Sequence, residues 1–220
     1  MDTYTFTTAY IVFMELFLAL FLIRVLKHSD SKNKSVLKAS LIFSFWLIFV
    51  WVVFGYFKIL PQSISSVSLF VIILLGVLIS GIFFYMLKDQ FLSLPQEFLL
   101  LPQAMRMFFG AGFIVEAAFG IIPVNYGVAD GLLHITTAFL SVTLAVYIAR
   151  QYHCKKSIIL VNIFGLFDIV VVAAGIAFVI LGEIGSQHNV FLAVFFAAPI
   201  FIWLHLISLY KILDLKFIKS

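Results

Sequence analysis

GVADGLLHITTAFLSVTLAVYIA, residues 127–149, is long and apolar enough to cross a bilayer, yet it carries an aspartate and a histidine one helical turn apart. A membrane-spanning helix needs about 20 mainly apolar residues. Within this stretch Asp130, His134, Thr137 and Ser141 recur at spacings of 4, 3 and 4, so a helix puts all four on one face. The other faces are aliphatic, aromatic or small. Such a helix buries its polar stripe against neighbouring helices and shows the rest to lipid. The stretch therefore implies a bundle around it.

The rest of the chain supplies one. Of its 220 residues 64% are hydrophobic and 11% charged, with 27 phenylalanines, and mean hydropathy is +1.20. Soluble domains carry about 25% charged residues. Seven windows have the length of a span, at residues 6–26, 40–58, 68–87, 103–123, 127–149, 157–182 and 190–211, separated by short polar or turn-rich breaks. The fold class expected is all-α, a polytopic transmembrane bundle of seven helices forming a single domain over residues 1–220. The first window lacks a basic segment before it and a small-residue cleavage site after it, so it reads as a span and not as a cleaved signal.

Orientation follows from the basic residues. Arg24, Lys27, Lys32, Lys34, Lys38, Lys88, Arg150, Lys155, Lys156, Lys211, Lys216 and Lys219 fall on one side of the bundle, with Lys58 alone on the other. Positive residues stay in the cytoplasm, which puts the N-terminus outside and the C-terminus inside. A multi-pass protein of a cell membrane is expected, with the lipid bilayer as its first partner. This topology also accounts for the net charge of +4, so the basic balance does not call for nucleic acid. The single cysteine, Cys154, leaves no intrachain disulfide framework.

Charged groups inside a bilayer are costly, so they normally face the bundle interior, find partners and mark sites. The candidates here are Glu15, Arg106, Glu116, Asp130, His134, Asn162, Asp168 and His205. Glu116 shares a face with Gly112 and Gly120, Asp168 with Gly165 and Gly175, and Glu15 with Thr8 and Ala19. His205 precedes Ser208 by one turn, and Pro199 upstream predicts a kink. The second and third spans lack such a face and read as lipid-facing. By depth, Glu116 and Asp130 lie in the outer half, Glu15, His134 and Asp168 near the middle, and Asn162, His205 and Arg106 in the inner half. This order suits a path for a proton, cation or small metabolite, with histidine as the group that changes charge near neutral pH. The structural alternative is that Asp130 and His134 satisfy each other, that Arg106 is an anchor reaching the interface or a partner of Asp168, and that Asn162 is an interhelical hydrogen-bond residue.

Several chemistries lack their motifs. The last span has no mid-membrane lysine for retinal, since Lys211 lies at its end. The pairs Pro61-Gln62, Pro95-Gln96 and Pro102-Gln103 fall in loops or at span starts, outside the helix interiors that PQ-loop transporters use. No His-x-x-His or His-x-x-x-His spacing anchors a metal, although His134, His205 and the carboxylates could converge across helices. His153-Cys154 lies in a basic loop. No P-loop, nucleophile elbow, dinucleotide or nucleic-acid motif occurs, and nothing specifies a cofactor or a catalytic residue.

The second half of the chain, about residues 102–213, resembles a group of small uncharacterised bacterial integral membrane proteins. The resemblance rests on Gln103 and Arg106 in PQAMRMFFGAG, Pro123 in GIIPVNYG, Asp130 in GVADG, Asn162, Gly165 and Asp168 in NIFGLFD, and Pro199, His205 and Ser208 in APIFIWLHLISL. It implies a bacterial inner-membrane location and no established activity. Glu116 and His134 stand outside the shared pattern. Three functions remain in view: a carrier or channel-like protein, a non-catalytic sensor or assembly partner, and a membrane-embedded metal- or haem-binding enzyme.

Overall fold

The computed structural model describes residues 2–29, 33–152 and 155–214. Lys32, His153, Cys154, Lys216 and Lys219 lie outside the described residues. Among the described residues, seven helices are long and apolar enough to cross a membrane: α1 (Thr3–Leu26), α2 (Val36–Tyr56), α3 (Ser66–Met86), α4 (Gln96–Ala118), α5 (Val124–Ala149), α6 (Lys155–Ile184) and α7 (Val190–Leu213). A short helix, Lys88–Ser93, joins α3 to α4. Among the described residues there is no strand.

The packing centres on α7, which is 67% buried, whereas α3 at the edge is 22% buried. Helix α4 runs closely along α5, α6 packs on both α5 and α7, and α1 lies against α2 and α4. Both α2 and α3 touch the core through aromatic hydrogen bonds, which corrects the expectation that they pack only as lipid-facing helices. Trp46 of α2 donates from Nε1 to the Phe195 carbonyl at 3.1 Å, and Trp203 of α7 donates to the Val77 carbonyl and the Ser80 hydroxyl of α3, both at 3.0 Å.

Local chemistry fixes the helix ends. Asp2 caps α1, its carboxylate accepting the Thr5 N–H at 2.7 Å and the Thr5 hydroxyl at 3.0 Å, and these bonds hold the carboxyl below its usual range. Helix α4 begins at Gln96, well before the sequence-expected start at 103, because Pro102 is absorbed into a tight 3₁₀ turn, Leu101–Met105. Proline has no N–H to donate and its ring obstructs the regular bond, so the helix tightens there without ending. Its far end is set by Gly120, at φ 67°. The Gly120 N–H bonds the Ala117 carbonyl at 3.0 Å and the Ile121 N–H bonds the Glu116 carbonyl at 2.9 Å, a Schellman termination. Gly120 therefore ends the helix and does not pack beside Glu116, and a Cβ there would meet nothing within 4 Å.

Pro199 does break its helix, three residues upstream. The regular helix of α7 is interrupted at Phe196, with φ −113° and ψ −64°. Without an N–H at Pro199, the carbonyl of Phe195 loses its helical donor. The Trp46 indole replaces it.

The close approach that positions the polar residues is between α4 and α5. A Cβ on Gly110 would lie 2.5 Å from the Gly131 carbonyl and 2.9 Å from His134 Cβ, and one on Gly131 would lie 2.6 Å from the Gly110 carbonyl. Both obstacles are backbone, which cannot swing aside. Gly131→Val is expected to lower the melting temperature in detergent substantially, whereas Gly182→Ala, in open space on the last turns of α6, should be neutral or slightly stabilising through helix propensity, by up to about 1 kcal/mol. Equal melting temperatures for both variants would contradict this packing.

Candidate functional site

Arg106, near the middle of α4, has no exposed surface. This corrects the alternative in which it reaches out to the interface. The Gly110–Gly131 contact brings α4 close enough for its guanidinium to touch three other helices. Nη2 donates to Asp168 Oδ2 at 2.5 Å, and Nη1 donates to the Gly165 carbonyl at 3.1 Å. His134 Nδ1 lies 3.0 Å from Nη2, and His205 Nε2 lies 3.4 Å from Nη1. The guanidinium also lies 5.7 Å from the Phe201 ring centroid. Gly165 is required here, since any side chain on it would overlap the His205 imidazole.

Asp168 is the counter-charge and is itself fully buried. Beyond Arg106 it accepts the Thr137 hydroxyl on Oδ2 at 2.6 Å, and its Oδ1 lies 3.0 Å from His134 Nδ1. The chain of bonds then runs towards the end of the bundle that carries the C-terminus. Asn162 gives its Nδ2 hydrogens to the Ile158 carbonyl at 2.7 Å and the Ser208 hydroxyl at 2.8 Å, which leaves its Oδ1 to accept from His205 Nδ1 at 2.8 Å. That bond fixes the tautomer. His205 carries its hydrogen on Nδ1 and offers Nε2 as acceptor to Arg106. Ser208 in turn accepts from the Gln96 amide at the start of α4.

His134 differs from the rest. Its side chain keeps 11% exposure where Arg106 and Asp168 keep none. Its ring makes an edge contact with Phe113, with centroids 5.8 Å apart, and lines an apolar cavity of about 80 Å³ between α3, α4, α6 and α7.

Of the eight residues singled out in the sequence, five meet in this network: Arg106, His134, Asn162, Asp168 and His205. Asp130 is buried close by, beside the Tyr126 hydroxyl and within electrostatic reach of Arg106 and Asp168, with Oδ2 unpartnered. His134 turns to Arg106 and Asp168, so the local Asp130–His134 pairing is replaced by long-range partners. Glu15 lies apart, accepting the Trp51 indole at 2.5 Å. Glu116 also lies apart, at the end of the bundle that carries the N-terminus, beside Thr7 and Asn189. Thr137 was visible on the polar stripe and Ser208 one turn after His205. Gln96 was hidden, being 112 residues from Ser208 in the chain.

The point where His134, Asp168 and His205 converge is filled by the guanidinium. Among the described residues, no three His, Cys, Asp or Glu side chains are grouped to hold a metal ion. What the cluster offers is a fixed positive charge, one carboxylate that neutralises it and two imidazoles at its edge.

These features define an all-helical protein with seven helices of membrane length around a buried, charge-paired polar core. The chain belongs to the family described as a domain of unknown function, DUF8737, which matches residues 63–213 and so includes α3 as well as the resembling second half. No curated protein and no solved structure matches it.

Two outcomes follow. Removing one partner of a buried pair leaves an uncompensated charge and costs about 3–5 kcal/mol. Asp168→Asn is therefore expected to unfold far more readily in detergent than the wild type, and adding Arg106→Met to it should restore much of the loss. A second concerns His188, in the α6–α7 loop, which burial pushes down to about 4. Its Nδ1 accepts the Val190 N–H at 3.2 Å, so the folded state holds it neutral. Between the ordinary histidine value and about 4 the unfolded chain binds a proton there that the folded chain refuses, so this contribution to stability is lost as pH falls through that window. A melting profile from pH 7 to 4 should flatten in His188→Gln; an unchanged profile would contradict the assignment.

Proposed function

We propose that the protein is a multi-pass cell-membrane protein, N-terminus outside and C-terminus in the cytoplasm, that works as a small carrier with a proton as its moving or coupling ion. The distribution of lysine and arginine supports the orientation, and the seven apolar helices support the membrane setting. The buried guanidinium favours a proton over a metal cation: a second fixed cation beside Arg106 would be repelled in a low-dielectric interior.

One observation carries the reading. His134 Nδ1 lies 3.0 Å from a donor, Arg106 Nη2, and 3.0 Å from an acceptor, Asp168 Oδ1. A single ring nitrogen serves one of them at a time. Without a hydrogen on Nδ1, it accepts from Arg106. With one, it donates to Asp168 and stands against the guanidinium. Gain or loss of a proton at this nitrogen thus exchanges an α4–α5 bond for an α5–α6 bond, which couples protonation to helix contacts. His205 lacks this choice, since Asn162 fixes its hydrogen.

The test is proton flux into liposomes holding the purified protein, driven by a potassium diffusion potential and read by an enclosed pH dye. Wild type should acidify the lumen faster than protein-free vesicles. His134→Gln keeps a hydrogen-bonding side chain that cannot titrate, and flux should fall to the protein-free rate while the melting temperature stays near wild type. A folded His134→Gln protein that carries protons at the wild-type rate would overturn the proposal.

A further inference from the structure

The cavity beside His134 has one polar group in its wall. Phenylalanine, leucine, isoleucine, valine and alanine make up the rest, so among the described residues His134 is the single polar side chain lining it. Both hydrogen-bonding contacts of the ring, with Arg106 and with Asp168, run through Nδ1. Nε2 has no hydrogen-bond partner among the described residues. It is not sealed in as the unpartnered Asp130 Oδ2 is, and the space that the ring borders is this cavity.

Two irregular helices border the space. The π-helical stretch Ile176–Ile180 of α6 contributes Ile176, and α7 contributes Ala197 and Ala198 directly after its break at Phe196. Such π stretches recur at functional sites. Ala173 and Ala193 line the cavity where larger aliphatic side chains would fill it. The wall also includes Leu74 of α3 and Val170 of α6, which are 47% and 54% exposed, so the cavity reaches the lipid-facing surface between these two helices. Helix α3 is held above and below this gap. Phe70 meets Phe178 of α6 with ring centroids 5.5 Å apart, and the Val77 carbonyl accepts the Trp203 indole of α7. Seven residues separate those two ties, a window roughly 10 Å high along the helix.

The lining selects its occupant. A water there would have one polar partner where it needs two to four. A charged group would be an unpaired ion, because Asp168 already neutralises Arg106. An apolar cavity of about 150 Å³ takes benzene; this one, at about 80 Å³, takes a narrow chain end and not a ring. The polar group on that chain has to suit Nε2, which donates in one neutral tautomer of the imidazole and accepts in the other. A hydroxyl does both, whereas a carbonyl or ether oxygen only accepts.

We infer that the cavity binds the hydroxyl end of a lipid-soluble aliphatic alcohol, which enters from the bilayer between α3 and α6 and hydrogen-bonds His134 Nε2. The inference goes beyond proton movement and holds whether or not His134 carries protons.

The experiment is photolabelling of the full chain in lipid nanodiscs with a 1-octanol that bears a diazirine on its third carbon, the labelled positions being read by peptide mass spectrometry. Saturable labelling of α6 and α7 around Ala173 and Val194 is expected. Unmodified 1-octanol should displace it at a membrane mole fraction at least about tenfold lower than octane, a preference of about 1.4 kcal/mol. Ala173→Leu, which fills the cavity and leaves His134 in place, should melt near the wild type and lose the saturable label. His134→Leu should lose the preference for octanol over octane. Unsaturable labelling spread evenly over the lipid-facing residues of α2 and α3 would overturn the site, as would octane competing as well as octanol against the wild type. Saturable labelling that survives in Ala173→Leu would also overturn it. Binding is read here without any flux, so this site and the proton reading fail separately.

Discussion

A guanidinium with no exposed surface organises this protein. Taking an ion of that size out of water costs several kcal/mol even after relaxation, and the cost is met only by good geometry and added hydrogen bonds. Arginine suits the task because its fork presents five N–H groups in fixed directions. Here those directions select their partners: a carboxylate and a backbone carbonyl from α6, and imidazole edges from α5 and α7. The two glycine features described above follow from the same demand. Gly110 against Gly131 brings the arginine's helix within reach, and Gly165 leaves room for the His205 ring. Thr137 and Asn162 complete the arrangement by binding the carboxylate and one imidazole.

The helices and their polar faces were legible because both depend on local periodicity. The 4-3-4 spacing on α5 is a property of twelve consecutive residues, and the structure buries all four members of that stripe. Partner choice was not legible in the same way. The residues bonded to Arg106 lie 28, 59, 62 and 99 positions away, and no local pattern encodes which helix will stand beside which. The nearest candidate pair in sequence, Asp130 and His134, shared a face but divided its partners. The expected span 103–123 puts Arg106 close to its start. The 3₁₀ turn carries the helix through Pro102 and places Arg106 ten residues in. Gly120 misled for the opposite reason: its role is conformational, and periodicity carries no information on a positive φ.

The acidic residues divide by what surrounds them. Asp168 is matched to a fixed cation, while Glu15 meets an indole N–H on a helix that composition alone marked as lipid-facing. Glu116 sits beside Thr7 and Asn189 at the edge of a small cavity lined mainly by apolar side chains. Residue type and depth were the same kind of evidence for all three; the arrangement of donors around each tells them apart, and donors come from elsewhere in the chain.

The interruption of α7 has a mechanical meaning. At Phe196 the helix is held in its course by tertiary contacts, and the stub from Val190 to Phe195 is tied to α2 by one indole bond to a carbonyl that proline chemistry has freed. Exchanging such a bond for another neutral partner costs on the order of 1 kcal/mol. The stub carries Val190, Ala193 and Val194, which wall the cavity beside His134. The last helix is therefore jointed at Phe196, with the long arm bearing His205 and the short arm bearing the wall of that cavity.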